Sequence, residues 1–577
     1  MDTVKKESNL NLEVKREISM TNKPWFDAYP AGTPHEIVMP ASNTSLVDVF
    51  ERSIQTYGKR DAFVCMEKRI TYKELDKYSR QLAAYLQSLG LKKGARVAVM
   101  LPNVLQYPIS VLGILRAGYV LVNVNPLYTA RELEHQLKDS GADVIIVLEN
   151  FASVLQEVVA NTPVKQVIVA SVGEMLGLVK GTIVDFVVRN VRKQVPAWSI
   201  QGSIHFKDAL NKVSARKYKR PVVGLTDTAV LQYTGGTTGV SKGAELTHSN
   251  LVANLLQAEA FFSTALSSGD PKGEQDAILC ALPLYHIFAL MCCALLGFHK
   301  GLLVVLIPNP RDIPGLVKEI SIYKPNILPA VNTLFNALVN NAEFQALDFS
   351  KLRFSLGGGM AVLPATAAAW QKITGKPIVE AYGLSETSPA ATSNPVNISA
   401  YTGTIGVPFP STDVAILDDD GKPVVQGERG EISIRGPQVM KGYWQRPDET
   451  AKVMTADGYF RTGDIGIMDE RGFIKIVDRK KDMILVSGFN VYPAEIEEVI
   501  TNNPKVLEAA AIGVPDEKSG EVPKLFVVKK DPSLTEAELK AYINDNLTGY
   551  KRPKYIEFMT ELPKSNVGKI LRKELRH

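Results

Sequence analysis

The stretch Tyr233-Thr-Gly-Gly-Thr-Thr-Gly-Val-Ser-Lys-Gly-Ala244 is the most informative part of the sequence. A strand is predicted just before it, at 229–233, and a helix is expected to start near Ser249. Its closely spaced glycines free backbone N–H groups to turn toward an anion. The motif adds hydroxyl donors and one ammonium group: Thr234, Thr237, Thr238 and Lys242. The composition of this loop therefore predicts a phosphate-binding cradle.

Other interpretations of the same stretch stay open at this point. It is not the common P-loop, because Ser241 rather than Gly precedes Lys242. A Gly/Ser/Thr surface loop has a similar composition. The segment 239–243 also matches the G-x-S-x-G elbow of serine hydrolases, with Ser241 as nucleophile, although seven residues separate Ser241 from Tyr233.

Apolar runs and helical patterns alternate on both sides of the loop. Strands are predicted at 96–101, 119–124, 144–148 and 302–307, and helices at 106–117 and after the capping box Thr129-x-x-Glu132. The apolar run 287–298 is too short to span a bilayer and is interpreted as a buried helix. The alternation predicts an α/β fold with a doubly wound parallel sheet.

The composition and charge of the chain exclude several classes of protein. The 577 residues exceed one core, and 45% hydrophobic with 22% charged residues is typical of a globular protein. A net charge of +5 gives no argument for nucleic acid binding. The four cysteines lack CxxC spacing, which fits a reducing compartment, and the histidine spacing predicts no zinc site.

Four segments are predicted along the chain. Residues 1–24 are interpreted as a flexible tail, 25–477 as a large N-terminal domain, 478–482 as a charged hinge and 483–577 as a small α+β domain. Glycine-rich turns between 403 and 444 indicate a small antiparallel, barrel-like lobe within the large domain. In the last domain, Pro493 is expected to open one helix and Ser533-x-x-Glu536 to cap another.

Tyr233 to Ala244 resembles the AMP-binding signature of the adenylate-forming superfamily, which includes acyl-CoA synthetases. Further motifs of that family follow in order, and their amino-acid sequences are most similar to those of bacterial long-chain fatty-acid–CoA ligases. The matching segments are Ala281-Leu-Pro-Leu-Tyr-His-Ile-Phe288, Gly357-Gly-Gly-Met-Ala361, Tyr382-Gly-Leu-Ser-Glu-Thr387, Tyr459-Phe-Arg-Thr-Gly-Asp464, Asp478-Arg-Lys-Lys-Asp482 and Pro563-Lys-Ser-Asn-Val-Gly-Lys569.

The resemblance implies a site. Lys569, Glu386 and His286 are expected to be catalytic: Lys569 bridging the carboxylate and the α-phosphate, and His286 beside the carboxylate. Glu386 and Thr237 are expected to hold Mg²⁺, Tyr382 to lie against adenine, and Asp464 and Arg479 to bind ribose. The remaining nucleotide and CoA positions are Tyr233, Thr234, Gly235, Gly236, Thr238, Gly239, Lys242, Gly358, Gly359, Gly383, Ser385, Gly488 and Phe489.

Taken singly, the key side chains have ordinary explanations. Glu386 could be a helix-cap carboxylate, Asp464 a turn residue, and Lys569 a solvated lysine in a basic tail. His286 could be a structural histidine. Ser385 stands where the family commonly has threonine, and its hydroxyl keeps the expected role.

The expected reaction joins a long-chain fatty acid, ATP and CoA through acyl-AMP. Rotation near Lys481 would withdraw Lys569 and present Gly488, Phe489 and Asn490 to the pantetheine arm of CoA. Phe288, Val331, Leu334 and Phe335 are candidates for an acyl tunnel, with core packing as the alternative. A carrier-protein thiol as acceptor, or an acyl-binding membrane protein with a vestigial site, are the other functions considered.

Residues 175–198 have a pattern that indicates contact with a membrane surface. Apolar residues at 176, 179, 183, 187 and 191, followed by Arg189, Arg192 and Lys193, suggest a basic amphipathic helix, and 212–220 adds further basic residues. A helix packed on its own domain is the alternative. The expected location is cytoplasmic, with peripheral contact to the inner membrane, and a homodimer is kept as an open alternative to a monomer.

Overall fold

The computed structural model describes residues 23–234, 241–266, 270–487, 489–516, 518–565 and 568–576. Its strands, in chain order, are β1 Asp61–Cys65, β2 Lys68–Thr71, β3 Arg96–Met100, β4 Val120–Asn123, β5 Ala142–Leu148, β6 Gln166–Ala170, β7 Ile204–His205, β8 Thr228–Thr234, β9 Lys242–Thr247, β10 Ala277–Cys280, β11 Leu303–Leu306, β12 Ile327–Ala330, β13 Phe354–Gly357, β14 Ile378–Gly383, β15 Ala390–Ser393, β16 Val407–Pro408, β17 Asp413–Leu417, β18 Gly430–Arg435, β19 Gly442–Tyr443, β20 Phe460–Met468, β21 Ile474–Arg479, β22 Ile484–Val486, β23 Phe489–Val491, β24 Val506–Asp516, β25 Gly520–Lys529 and β26 Tyr555–Met559.

Helices connect most of these strands. The α-helices are Leu46–Tyr57, Tyr72–Ser88, Gln106–Arg116, Ala130–Ser140, Ala152–Val158, Leu178–Phe186, Phe206–Lys212, His248–Phe261, Ile287–Ala289, Gly297–His299, Ile313–Tyr323, Asn332–Val339, Ala342–Gln345, Pro364–Thr374, Pro447–Ala451, Pro493–Thr501 and Glu536–Asn546. Two π-helical segments, Val187–Val191 and Leu290–Leu296, continue neighbouring α-helices.

Two large sheets form the N-terminal part, as the strand–helix alternation predicts. One has nine strands in the order β16-β15-β14-β13-β12-β10-β11-β1-β2, and the other eight in the order β19-β9-β8-β4-β3-β5-β6-β7. Most neighbouring pairs are parallel, and their β-branched runs are buried on both faces. The predicted buried helix lies at 287–299, and all four cysteines are buried and free.

The glycine-rich stretch differs from the expected strand–loop–helix arrangement. An additional strand, β9, begins at Lys242 and pairs antiparallel with β8, so that Tyr233 faces Gly243 and Thr234 faces Lys242. The helix begins at His248, in agreement with the predicted start near Ser249, and Thr247 and Asn250 form its capping box. The described residues on the two sides of the loop, Tyr233–Thr234 and Lys242–Gly243, are therefore paired strand ends, and β9 separates them from the helix.

Smaller units follow the two large sheets. Residues 413–479 supply a four-stranded antiparallel sheet in the order β17-β18-β20-β21. The antiparallel pairing is as predicted, but two of its strands, β20 and β21, lie beyond the predicted range 403–444. Residues after 483 build a separate sheet with its own apolar core. There the predicted cap at Ser533 is wrong: Thr535 and Glu538 form the capping box, because the Thr535 hydroxyl accepts from the Glu538 N–H.

Among the described residues, no helix combines the length and apolar character needed to cross a bilayer.

Candidate active site

The predicted motifs meet at one edge of the nine-stranded sheet. The loops that follow β10, β12, β13 and β14 leave the carboxyl ends of four neighbouring parallel strands. His286 and Gly358 follow β10 and β13. Thr333 lies in the first turn of the helix Asn332–Val339 that follows β12, and Tyr382 lies near the carboxyl end of β14 itself. Ligands in open α/β sheets bind at this edge, because no helix covers the strand ends there.

Gly358 allows two of these loops to touch. A Cβ on Gly358 would lie 3.1 Å from the Phe288 ring and 3.1 Å from the Ala381 carbonyl oxygen. Its neighbour Gly359 has φ +78°, a conformation that side chains disfavour. The loop predicted to border adenine is therefore in contact with the aromatic motif predicted to border the acyl group.

The expected ribose residues form one hydrogen-bonded group. The Tyr382 hydroxyl donates to Asp464 Oδ2 at 2.6 Å, and Arg479 Nε lies 3.2 Å from Asp464 Oδ1. Asp464 and Arg479 are direct partners on β20 and β21. Around them, a pocket of about 270 Å³ is lined by Thr462, Gly463, Asp464, Arg479, Lys480 and Lys481.

Glu386 is a buried carboxyl group just after β14. Tyr443 donates its hydroxyl to Glu386 Oε1 at 2.8 Å, and burial raises the pKa of Glu386 above its usual value. Among the described residues, no group of three His, Cys, Asp or Glu side chains could bind a metal by itself. A single carboxylate fits Mg²⁺ that is shared with phosphate oxygens. Gly383 needs its lack of a side chain, because a Cβ there would lie 1.7 Å from the Pro389 oxygen.

The base of the glycine-rich loop is held by side chains from distant elements. The Tyr233 hydroxyl donates to Asp139 at 2.7 Å, and Lys242 Nζ lies 2.6 Å from Glu449 and 4.7 Å from the centre of the Tyr443 ring. The rest of this motif lies outside the described residues: Gly235, Gly236, Thr237, Thr238 and Gly239.

The serine-hydrolase interpretation finds no support in the geometry of Ser241. The residue lies just before β9 and does not occupy a strand-to-helix turn. Its hydroxyl donates to the Thr234 carbonyl oxygen at 2.7 Å, and His135 contacts only its backbone oxygen. Ser241 thus closes the base of the hairpin.

Lys569 sits on a tight hairpin of the C-terminal part. Its backbone N–H donates to the Ser565 hydroxyl at 3.1 Å, and Gly568 adopts φ +78° beside it. The pKa of Lys569 is lowered to about 8, chiefly by burial and also by the nearby cations Arg479 and Lys481, whereas Asp464 opposes the shift. This is not the environment of a solvated lysine.

The Lys569 hairpin reaches the large sheets. A Cβ on Gly568 would lie 2.3 Å from Oγ1 of Thr333, in the first turn of the helix Asn332–Val339 that follows β12. Burial lowers the pKa of His286 to about 4, and the charge of Lys569 contributes to that shift. Lys569 is therefore close enough to both His286 and Asp464 for their charges to interact.

Further contacts hold the C-terminal part in this position. Asp478 Oδ2 accepts from the Ala494 N–H at 2.8 Å, at the first turn of the helix Pro493–Thr501. Arg429 lies 2.8 Å from Glu495 and stacks over the Tyr492 ring. These contacts lie between β21, the preceding lobe and the last domain.

Phe489 is displayed on the outside. It is 55% exposed and stacks on Tyr550 with ring centres 4.8 Å apart. Gly488, predicted to act beside it, lies outside the described residues.

The candidate tunnel residues lie close to the loop after β13. Phe335 is fully buried, packs edge-on against Trp370 at 4.7 Å and would lie 3.7 Å from a Cβ on Gly357. Phe288 and Val331 lie beside the next two glycines of that loop. Leu334 is buried in the same apolar cluster as Val331.

Sequence reasoning missed three residues of the site: Tyr443, Glu449 and Thr333. Each lies far along the chain from the residue it contacts, so no local pattern marks it. The available signal was the position of Thr333 three residues after the end of the apolar strand β12.

Comparisons with known proteins agree with this arrangement. Residues 50–444 match the AMP-binding enzyme family, and 495–569 match the AMP-binding enzyme C-terminal domain. A long-chain-fatty-acid–CoA ligase from Yersinia pestis is 55% identical over 96% of this chain and 98% of that protein.

Solved structures show the same fold. An anthranilate CoA ligase in complex with anthranoyl-AMP superposes with a TM-score of 0.81 at 25% identity, covering 93% of this chain and 97% of that one. ATP-bound MatB from Rhodopseudomonas palustris gives 0.79 at 28% identity, and its apo form gives 0.69, each over 92% of this chain and 98% of that one. On the family match and the near full-length identity, the chain belongs to the AMP-binding enzyme family.

Proposed function

We propose that the chain is a long-chain fatty-acid–CoA ligase that uses ATP and forms acyl-AMP on the way to acyl-CoA. The identity to the Yersinia pestis ligase supports the substrate class. One observation carries the mechanism: the lysine of the C-terminal hairpin, Lys569, is electrostatically coupled to Asp464, Arg479 and His286 across two parts of the chain.

In the first half-reaction, a carboxylate oxygen of the fatty acid attacks the α-phosphorus of ATP. A new bond forms between that oxygen and phosphorus, and the bond to the leaving diphosphate breaks. Two anions approach each other, so the reaction needs positive charge at the point of contact. We assign this role to Lys569, with Asp464 and Arg479 orienting the ribose and Tyr382 bordering the adenine.

Closure without substrate has an electrostatic cost. A shift of the Lys569 pKa from 10.5 to about 8 corresponds to a free-energy cost of about 3 kcal/mol for keeping the lysine charged in the closed pocket. Bound phosphate and carboxylate would remove this cost by supplying the missing negative charge. Closure of the C-terminal domain is thus coupled to the presence of the reacting anions.

Glu386 and Thr237 are the residues that we propose for Mg²⁺. A hard divalent cation neutralises phosphate charge and is usually bound by one or two protein oxygens in nucleotide sites. Glu386 offers one carboxylate, and Tyr443 keeps that carboxylate oriented by its hydrogen bond. Lys242, paired with Glu449, lies next to the same ring.

In the second half-reaction, the CoA thiol loses its proton, its sulfur attacks the acyl carbonyl carbon, and AMP leaves. We propose that residues 478–482 form the hinge between a domain of 25–477 and one of 483–577, with rotation near Lys481. The rotation would withdraw Lys569 and bring Phe489 and Gly488 to the pantetheine arm. The higher TM-score to ATP-bound than to apo MatB supports an adenylation-competent arrangement here.

Location and assembly are further parts of the proposal. We place the enzyme at the cytoplasmic face of the inner membrane as a peripheral protein, because its substrates partition into bilayers. A homodimer stays a prediction, to be checked by light scattering. The second candidate function, transfer to a carrier-protein thiol, differs only in the acceptor.

The test measures the products formed with each acyl acceptor, CoA or a carrier protein, and with carboxylic acids of different chain length. We expect AMP and diphosphate release with palmitate and CoA, less with octanoate and almost none with acetate. Acyl-AMP that accumulates with CoA but is consumed by a carrier protein would contradict the CoA ligase and favour the second candidate.

A further inference from the structure

The helix Leu178–Phe186 and its π-helical continuation Val187–Val191 point apolar side chains at solvent. A surface helix of a globular protein normally buries that side and exposes its polar one. Here the exposed residues are Leu178 at 81%, Val179 at 76%, Ile183 at 58%, Phe186 at 59% and Val191 at 64%. We call these five residues the outer face of 178–191.

Close backbone contact fixes the opposite side of this helix. A Cβ on Gly181 would lie 2.3 Å from the Gly173 carbonyl oxygen, so only glycine fits at this contact. Asp185 accepts from the Gly173 N–H at 2.7 Å and from the Ser171 hydroxyl at 2.7 Å. The helix is therefore attached through its polar side to the loop that follows β6.

Two cations complete the attachment. Lys180 donates to the Met66 carbonyl oxygen and lies 2.8 Å from Glu67. Arg189 binds both carboxylate oxygens of Glu149, at 2.8 to 3.0 Å. Rotating the helix to bury the outer face would break these bonds, so the outward orientation is built into the fold.

The outer face ends in positive charge. Arg192 and Lys193 are exposed, and neither makes an ion pair with any described residue. By contrast, Arg220, at the end of the basic run 212–220, is paired with Asp48 and Glu51. The sequence-based expectation that 212–220 adds to the same surface is not supported by this pairing.

The helix 178–191 is anchored at the same edge of the nine-stranded sheet as the candidate active site. Cys65, Leu306 and Cys280 are in register on three adjacent strands, β1, β11 and β10. Met66, which holds Lys180, is thus about 10 Å, or two strand spacings, from the start of the loop that carries His286.

We propose that the outer face of 178–191 docks on an anionic phospholipid bilayer. Apolar side chains beside unpaired cations match a surface with an acyl interior and negatively charged headgroups. A second copy in a two-fold contact would instead bring the like charges of the two outer faces together. The docking proposal depends on the proposed function in one respect only, namely that the bilayer supplies the fatty acid substrate.

Flotation of the full-length protein with vesicles tests the docking without ATP or fatty acid. We expect binding to mixed phosphatidylglycerol and phosphatidylcholine vesicles that weakens with salt. Ile183→Ser with Phe186→Ser should lower the partition coefficient about tenfold or more. Arg192→Ala with Lys193→Ala should lower it about tenfold on the anionic vesicles and remove most of the salt dependence.

Val222→Ser is the matched control. Val222 is 88% exposed and follows Pro221, which packs on Gly118 at the amino end of β4. Val222 therefore lies at the edge of the eight-stranded sheet opposite to the edge where the loop after β6 holds the helix 178–191. It should bind vesicles like the parent protein. Unchanged octanoate ligation in every variant would show that the fold is intact.

Three results would overturn the docking proposal. They are vesicle binding that survives Ile183→Ser with Phe186→Ser, equal loss in Val222→Ser, and a change of oligomeric state instead of vesicle binding. Lack of ligase activity alongside normal vesicle binding would contradict the proposed function and leave the docking surface supported.

Discussion

Gly568 and Thr333 approach so closely that a single carbon atom added to Gly568 would lie 2.3 Å from Thr333 Oγ1. Gly568 precedes the lysine proposed to be catalytic, and Thr333 follows β12 of the nine-stranded sheet. The contact therefore exists only while the C-terminal hairpin is inserted against that sheet. It makes the size of residue 568 a condition for closure.

Gly568→Ala should slow acyl-AMP formation at least tenfold, because the new Cβ overlaps Thr333 and a left-handed φ disfavours alanine. Diphosphate exchange measures this step. Thioester formation from supplied acyl-AMP should change little, since the hairpin is withdrawn for that step. Equal loss in both half-reactions would contradict the prediction.

Thr333→Ala supplies the control for Gly568→Ala. It removes Oγ1, and the next atom of Thr333 lies 3.4 Å from the added Cβ, an ordinary contact. The double variant should recover much of the lost exchange activity, and Thr333→Ala alone should remain active.

Lys569→Ala should abolish acyl-AMP formation, because no other group replaces the ammonium between the two anions. Thioester formation from supplied acyl-AMP should remain largely intact. Both steps can be followed by chromatography of the adenylate and the acyl-CoA. Unchanged adenylation in this variant would remove the role assigned to Lys569.

The pKa of Lys569, lowered to about 8, predicts a pH dependence. The charged form that stabilises the transition state exists below this pKa and is lost as the pH rises through it. The kcat/KM of adenylation should thus fall above pH about 8. Lys569→Arg should lose this upper limb, whatever its absolute rate, because a guanidinium stays protonated there.

Tyr443→Phe should weaken the use of Mg²⁺ by several-fold. The substitution keeps the ring beneath Lys242 but removes the hydroxyl that binds Glu386 at 2.8 Å, leaving a buried carboxylate with one partner fewer. A Mg²⁺ titration of diphosphate exchange measures the effect. Lys441→Ala, which removes an exposed ammonium nearby in sequence, is the control and should titrate like the parent. An unchanged titration of Tyr443→Phe would contradict the positioning role.

Local features were the ones that could be predicted. β3 and the capping box of Thr129 and Glu132 are as expected, because apolar period and cap chemistry act over a few residues. The hairpin at 233–244 was missed, since Lys242 to Thr247 reads equally well as the end of a loop before a helix. The pairing of β9 with β8 and β19 makes these residues a strand.

The sequence by itself determined the order of the motifs, and hence the chemistry that their side chains could perform. Only the tertiary structure decided which residues meet: Thr333 with Gly568, Tyr443 with Glu386, and Tyr382 with Asp464. It also decided that 178–191 turns its apolar side outward. The reason is physical: contacts between distant residues depend on how whole sheets pack, and residue order alone does not specify that packing.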